Sequence, residues 1–167
     1  MDKKIQVPLH IAKALQVIAT RLKGEDIRWV VITSCALALQ GLDIQPEDID
    51  ILTDTTGHKK IDLILDEFKM TLPQKSSYES VISNFLIEGR PVEVISNFKV
   101  KSAKDNHCYL ADRLIEYSHN IELFDVEIPC LTLSKSIELY TWMGREKDEA
   151  KIIKIEHFLN QSSKSDA

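Results

Sequence analysis

The sequence predicts one α/β (α+β) domain in which a mixed β-sheet is flanked by helices and followed by a carboxyl-terminal helical part. Three observations carry that prediction. The segment "IRWVVIT" (27–33) is short, β-branched and nearly all apolar, as a strand covered on both faces must be, and it runs straight into the helix formers of "SCALALQG" (34–41). Farther on, "SYESVISNFLI" and "RPVEVIS" meet across "EGRP", whose Gly and Pro mark a hairpin turn. The final stretch "SKSIELYTWMGREKDEAKIIKIEHFL" has the apolar period of two helices broken near Gly144.

Each element follows from local pattern. From Pro8, Ile11, Leu15, Ile18 and Leu22 recur at helical spacing, Pro8 suits a first turn, and Gly24 ends the helix. The strand 27–33 passes to a helix capped by Ser34 and stopped by Gly41. "DIDILT" (48–53) reads as a second strand, and "HKKIDLILDEFK" (58–69) as a helix with Ile61, Ile64, Leu65 and Phe68 on one face. After the hairpin, residues 97–106 are polar and lysine-rich without a period, which reads as an exposed loop. "NIELF" and "VEIPCLTL" are strand-like runs on either side of Asp125, and Ser134 is placed to cap the helix that follows. The expected domain spans 1–160, with a core at about 27–100 and a helical part at about 132–160, and 161–167 reads as a disordered tail.

Composition bounds the function. A chain of 167 residues, 44% hydrophobic and 28% charged, can bury a core of its own. A formal charge of -5 disfavours a long duplex nucleic acid held through many phosphates. Cys35, Cys108 and Cys130 are odd in number and widely spaced, which fits reduced thiols better than a disulfide framework. No stretch reaches the roughly 18 apolar residues of a membrane span, and the first residues lack a leader's apolar core, so the expected location is the cytoplasm.

The chemistry is concentrated in "GLDIQPEDIDILTD" (41–54). In a strand, Asp48 and Asp50 share a face with Cα atoms roughly 6.6 Å apart, while Ile49 and Ile51 point to the packed face. Two like charges so close are costly unless a cation neutralises them, and hard oxygen donors select Mg²⁺. A half-buried edge strand with a solvated polar face has the same pattern, so the Asp-x-Asp alone selects neither reading. A calcium loop counted from Asp43 fails, because Asp48 falls where that loop needs its glycine. Asp43, Glu47 and Asp54 flank the motif and read as solvated loop residues or as supports behind its ligands. Two further features accompany the aspartates. Thr33 and Ser34 stand at a strand-to-helix junction, where free backbone N–H groups can hold a phosphate. Glu93, between Val92 and Val94, is an acid in mid-strand that can lie beside Asp48 and Asp50 in one sheet.

Together these segments, roughly Trp29 to Ser96, resemble the nucleotidyltransferase superfamily, which includes the DNA polymerase β-like, kanamycin, lincosamide and minimal nucleotidyltransferases. The resemblance implies a nucleotidyltransferase-type mixed β-sheet flanked by helices. It implies Thr33 and Ser34 as the nucleotide-binding pair, Asp48 and Asp50 as ligands of two Mg²⁺ ions, and Glu93 as the third metal ligand and activator of the attacking hydroxyl. The implied reaction moves a nucleoside monophosphate from an NTP, ATP by expectation, to a hydroxyl of a small molecule, a protein or a short RNA end. Two departures stand out: Thr33 replaces the family's first glycine, and Glu93 replaces its usual aspartate. They sustain a competing reading, a non-catalytic nucleotide-binding or partner-binding module of the toxin-antitoxin type. Lys135, Arg145 and Lys147 are cations that can contact a triphosphate, although solvated, self-paired helix faces are the plainer reading. His58 reads as an exposed residue at a helix start, Trp29 as core, and Trp142 as core or as a stacking surface.

Overall fold

The structure is a computed structural model that describes residues 7–71 and 80–165. Helix α1 (Leu9–Leu22) leads to strand β1 (Trp29–Ile32), helix α2 (Thr33–Leu39), strand β2 (Ile49–Thr53) and helix α3 (Thr55–Ile64). A short strand β3 (Lys69–Met70) precedes the hairpin of β4 (Val81–Ile87) and β5 (Arg90–Ser96). Strands β6 (Lys99–Lys101), β7 (Cys108–Leu110), β8 (Ser118–Leu123) and β9 (Val126–Leu131) follow, and helices α4 (Leu133–Met143) and α5 (Glu146–Ser165) close the chain. Seven strands form one sheet in the order β3-β4-β5-β2-β1-β9-β8. It is mixed: β2 runs parallel to β5 and β1 parallel to β9, while β1 and β2 are antiparallel. Strands β6 and β7 form a separate two-stranded ribbon.

The sheet divides two cores. Ile49 and Ile51 of β2 and Val92 and Val94 of β5 pack with α1's Ile11, Leu15 and Ile18 and with Ile61 of α3. Alternate residues turn the other way, so Val30, Ile32, Leu52 and Ile95 meet Leu139 and Trp142 of α4. Each such fully buried aliphatic side chain contributes about 1.5–3 kcal/mol. Asp50 and Glu93 belong by alternation to this second face, the one covered by α4 and α5. No helix among the described residues is long and apolar enough to cross a membrane.

Several elements differ from the sequence expectation. Helix α2 begins at Thr33, so Ser34 lies inside it and no side chain caps its start. Helix α3 starts at Thr55 because Asp54, expected only to flank the acidic motif, caps it by accepting from the Gly57 N–H at 2.7 Å. It stops at Ile64, and Asp66–Phe68 form a 3-10 turn rather than a last helical turn. The cap of α4 is Thr132, which accepts from Lys135 N–H, and not Ser134. Residues 99–101 are the strand β6, not an open loop, because they pair with Cys108–Leu110. Helix α5 continues to Ser165, past 161, where a tail was expected. Its polar end closes on itself, with Ser163 Oγ donating to Asn160 O and Gln161 bonded to His157. Residues 77–79, expected to begin β4's strand, lie outside the described residues.

His58 is buried, 3% exposed, not at the surface. Its Nε2 lies 2.7 Å from Ser83 Oγ of β4, and its Nδ1 has no partner among the described residues. Burial pushes its pKa below the ordinary 6.5, opposed by Asp62 on the same helix and reinforced by Lys69 of β3. A histidine with a lowered folded pKa binds fewer protons folded than unfolded, so stability falls as pH drops below about 6.5 toward the folded value. The melting temperature of wild type is therefore expected to fall more between pH 7.5 and 5.5 than that of His58→Gln; equal slopes would refute this.

Gly57 is required by space. A Cβ there would lie 2.2 Å from Thr53 Oγ1, which is itself pinned by donating to Arg28 O at 2.7 Å. Gly57→Ala, ordinarily favourable in a helix by about 1 kcal/mol, is expected to destabilise by about 1–3 kcal/mol through this overlap, read by chemical denaturation.

Candidate active site

The parallel pairing of β2 with β5 sets Asp50 directly beside Glu93, and the antiparallel pairing of β1 with β2 sets Ile32 on Asp50's other side. Asn84 of β4 continues the row beyond Glu93. Asp48 immediately precedes β2 and is exposed, whereas Asp50 and Glu93 are half-buried. The three expected carboxylates thus share one end of the two central strands.

Thr33 is where the chain turns from β1 into α2, and its φ is +61°. For a β-branched residue this left-handed conformation is strained, and it is the conformation for which glycine is suited. The strain is offset locally: Thr33 Oγ1 lies 2.6 Å from Asp50 Oδ2, to which it donates, and 2.8 Å from Ile32 O. Thr33 therefore sits against a proposed ligand carboxylate, and Ser34 follows in the first turn.

Helices α4 and α5 close the site from above. Arg145 precedes α5 and grips the fully buried Asp148: Nε donates to Oδ2 at 2.6 Å, Nη2 to Oδ1 at 2.9 Å, and the backbone N–H to Oδ2 at 3.1 Å. The last of these also caps the start of α5. Thr33, Asp50, Glu93, Phe98, Met143 and Arg145 line one cleft of about 190 Å³, so Arg145 joins the carboxylates. Lys147 is exposed on α5. Lys135 is turned elsewhere, its ammonium 2.8 Å from Glu138 and 4.3 Å from the centre of the Tyr117 ring. Trp142 packs in the core and stacks on Tyr109, centroids 5.1 Å apart and planes 3° from parallel.

The electrostatics couple these groups. Burial raises the pKa of Asp50, the Asp48 charge raises it further, and the Thr33 hydroxyl and Lys151 act against both. Burial likewise raises Glu93, followed by Asp50 and Asp48. Lys151 of α5 is lowered by burial and held partly against that by Asp148 and Asp50. Its ammonium lies 5.1 Å from the centre of the Tyr140 ring, whose hydroxyl is buried near Ser34. Cys35, behind the carboxylates, is pushed well above an ordinary thiol by burial and then by Cys130, Asp50 and Asp48.

Among the described residues, no group of three or more His, Cys, Asp or Glu side chains is gathered as a finished metal cage. Mg²⁺ does not require one, since it binds through one or two carboxylates together with substrate phosphates and water. The all-oxygen donor set and the mutual repulsion of Asp48, Asp50 and Glu93 fit such an ion. Lys151 and Tyr140 were not singled out from the sequence, yet a signal was present. Asp148, Lys151, Ile152 and Ile155 recur at helical spacing, which places the lysine on the inward face of α5.

Solved structures that share this fold include nucleotidyltransferases. TM1012 of Thermotoga maritima, assigned to that class, is 28% identical, with 96% of this chain and 99% of that chain aligned at a TM-score of 0.74. ANT(2")-Ia, solved with adenylyl-2"-tobramycin, shares the fold at 10% identity, with 91% of each chain covered and a TM-score of 0.60. The lincosamide adenylyltransferase LnuA, solved with lincomycin, does so at 15% identity, covering 86% of this chain and 95% of its own, with a TM-score of 0.55. No curated protein matches. The family model of the aminoglycoside-2''-adenylyltransferases matches residues 14–156, and the chain belongs to that family.

Proposed function

We propose that this protein transfers a nucleoside monophosphate, adenylyl from ATP in the first instance, to a hydroxyl of a second substrate. The observation that supports it most is the adjacent register of Asp50 and Glu93 beside the Thr33–Ser34 junction, with Asp48 at the strand's start. In this reading Asp48 and Asp50 would hold two Mg²⁺ ions, and Glu93 would help hold one and accept the proton of the attacking hydroxyl. When bound, such ions would supply charge stabilisation to an in-line displacement. Ser34 and the first backbone N–H groups of α2 orient the phosphates, and Arg145 and Lys151 bring positive charge from the helical side. The displacement forms the bond from the acceptor oxygen to the α-phosphorus and breaks the bond to pyrophosphate. Antibiotic acceptors, as in ANT(2")-Ia and LnuA, set the size class of acceptor to try first.

The second reading, a nucleotide-binding module without turnover, is favoured by the Thr33 hydroxyl on Asp50, which occupies one carboxylate oxygen. The two separate in one experiment. The protein is incubated with Mg²⁺ and α-labelled NTPs, with and without cell extract. Label transfer that is lost in Asp48→Ala, Asp50→Ala and Glu93→Ala, each with an unchanged circular dichroism spectrum, is the expected result. Nucleotide binding without transfer under all conditions would leave only the module.

A further inference from the structure

Tyr140 of α4 is wholly buried, and helices on either side close over it. Leu37 of α2, Leu42 just beyond that helix and Ile155 of α5 pack with its ring, and the Lys151 ammonium lies 5.1 Å from the ring's centre. Leu37 is one turn after Ser34, so the two share a face of α2 and the ring lies along that face. The hydroxyl at its tip is set among polar groups. Asp148 and Asp50 act on it through their charges, and Ser34 is the hydroxyl it faces. Burial, followed by those two acids, pushes its pKa up, so the phenol keeps its proton and serves as a donor. Among the described residues no closed hydrogen bond ends on this oxygen. A buried phenol ordinarily has a partner, and an open one costs stability.

The neighbouring acids are already engaged. Both oxygens of Asp148 accept from Arg145, and Asp50 Oδ2 accepts from Thr33. Ser34 is half-buried, and its hydroxyl can accept one hydrogen bond while giving another. Resting on the proposed transfer reaction, in which Ser34 meets the phosphates, we infer that Tyr140 is a positioning residue for the nucleotide: its hydroxyl donates to Ser34 Oγ and turns the Ser34 proton outward onto a phosphate oxygen. The two bonds reinforce each other, because a hydroxyl that donates is the better acceptor, so the Tyr140 bond is completed when a phosphate takes up the Ser34 proton. Tyr140 does not touch the nucleotide itself, since its side chain is wholly enclosed.

The test measures nucleotide affinity in wild type, Tyr140→Phe, Ser34→Ala and the double variant, by calorimetric titration with Mg²⁺ and α,β-methylene-ATP, an analogue that resists cleavage at the α-phosphorus. Melting curves come first. Phenylalanine removes one oxygen and keeps the ring, so Tyr140→Phe is expected to melt within about 4 °C of wild type. It is expected to weaken nucleotide binding about three- to tenfold, and Ser34→Ala to weaken it by at least as much. The double variant should bind within about twofold of Ser34→Ala alone, because Tyr140 acts only through the serine. A tyrosine that merely fills the core would change the melting temperature and leave nucleotide affinity untouched. Unchanged affinity in Tyr140→Phe or in Ser34→Ala overturns the inference, as do losses that multiply in the double variant, which would make Tyr140 an independent contributor. Failure of wild type to bind the analogue is a separate result, which removes the transfer reaction and the positioning role with it.

Discussion

Asp50→Asn is expected to lose nucleotidyl transfer by about 10³-fold, roughly 4 kcal/mol of transition-state stabilisation, while melting at a higher temperature than wild type in metal-free buffer. The two effects share a cause. Asp50 is a half-buried carboxylate whose ionised form is opposed by burial and by Asp48, and whose charge in turn opposes that of Glu93. The amide keeps its shape and an oxygen for the Thr33 hydroxyl, which lies 2.6 Å away, but sheds the charge. Each kcal/mol of repulsion removed should raise the melting point by about 2–4 °C in a chain of this size. With excess Mg²⁺ and nucleotide the advantage should shrink, because binding to the native state stabilises wild type by mass action and the variant less. A lower metal-free melting temperature for the variant would show that Asp50 is an ordinary structural carboxylate. Transfer retained within about tenfold would remove it from the machinery.

A large effect on stability is also expected at Thr33. Thr33→Val keeps the β-branch at φ +61° but deletes the hydroxyl that donates to Asp50 and lies 2.8 Å from Ile32 O. The backbone strain, of order 1–3 kcal/mol, is the same in wild type and variant and cancels in the difference, so what is lost is a donor to a half-buried carboxylate. Denaturant unfolding should read a loss of about 1.5–3 kcal/mol. Thr33→Gly loses the same hydroxyl but adopts the left-handed conformation without a Cβ, so it should remain within about 1 kcal/mol of wild type. If the two variants were equally destabilised, the left-handed strain would play no part and the hydroxyl alone would matter.

Much of this architecture could be read in the residues themselves. The α1 face, the strand-to-helix step at Ile32, the β4–β5 hairpin and the break at Gly144 all follow from period and turn chemistry, because burial there is dictated by neighbours close in sequence. The nucleotidyltransferase class was also legible, from residues 29–96, and the structural relatives agree with it. What sequence could not reveal depends on distant pairing. Strand β6 exists because Lys99–Lys101 meet Cys108–Leu110 across a polar loop, and His58 is buried because Ser83 arrives from another element. Lys135 resembled a site cation by position, yet Glu138 one turn on offers a nearer partner. Thr33 looked like a simple steric departure from glycine; its bond to Asp50 appears only when β1 and β2 are laid side by side.

That side-by-side arrangement also limits how the site can change. Because Asp50 faces Glu93 by strand register, with Ile49, Ile51, Val92 and Val94 packed behind them, a slip of one residue would bury the acids and expose the aliphatics together. Intermediate placements are closed to it, so change in these strands is all-or-none: the two acids and the four aliphatics behind them must be kept or lost as one unit.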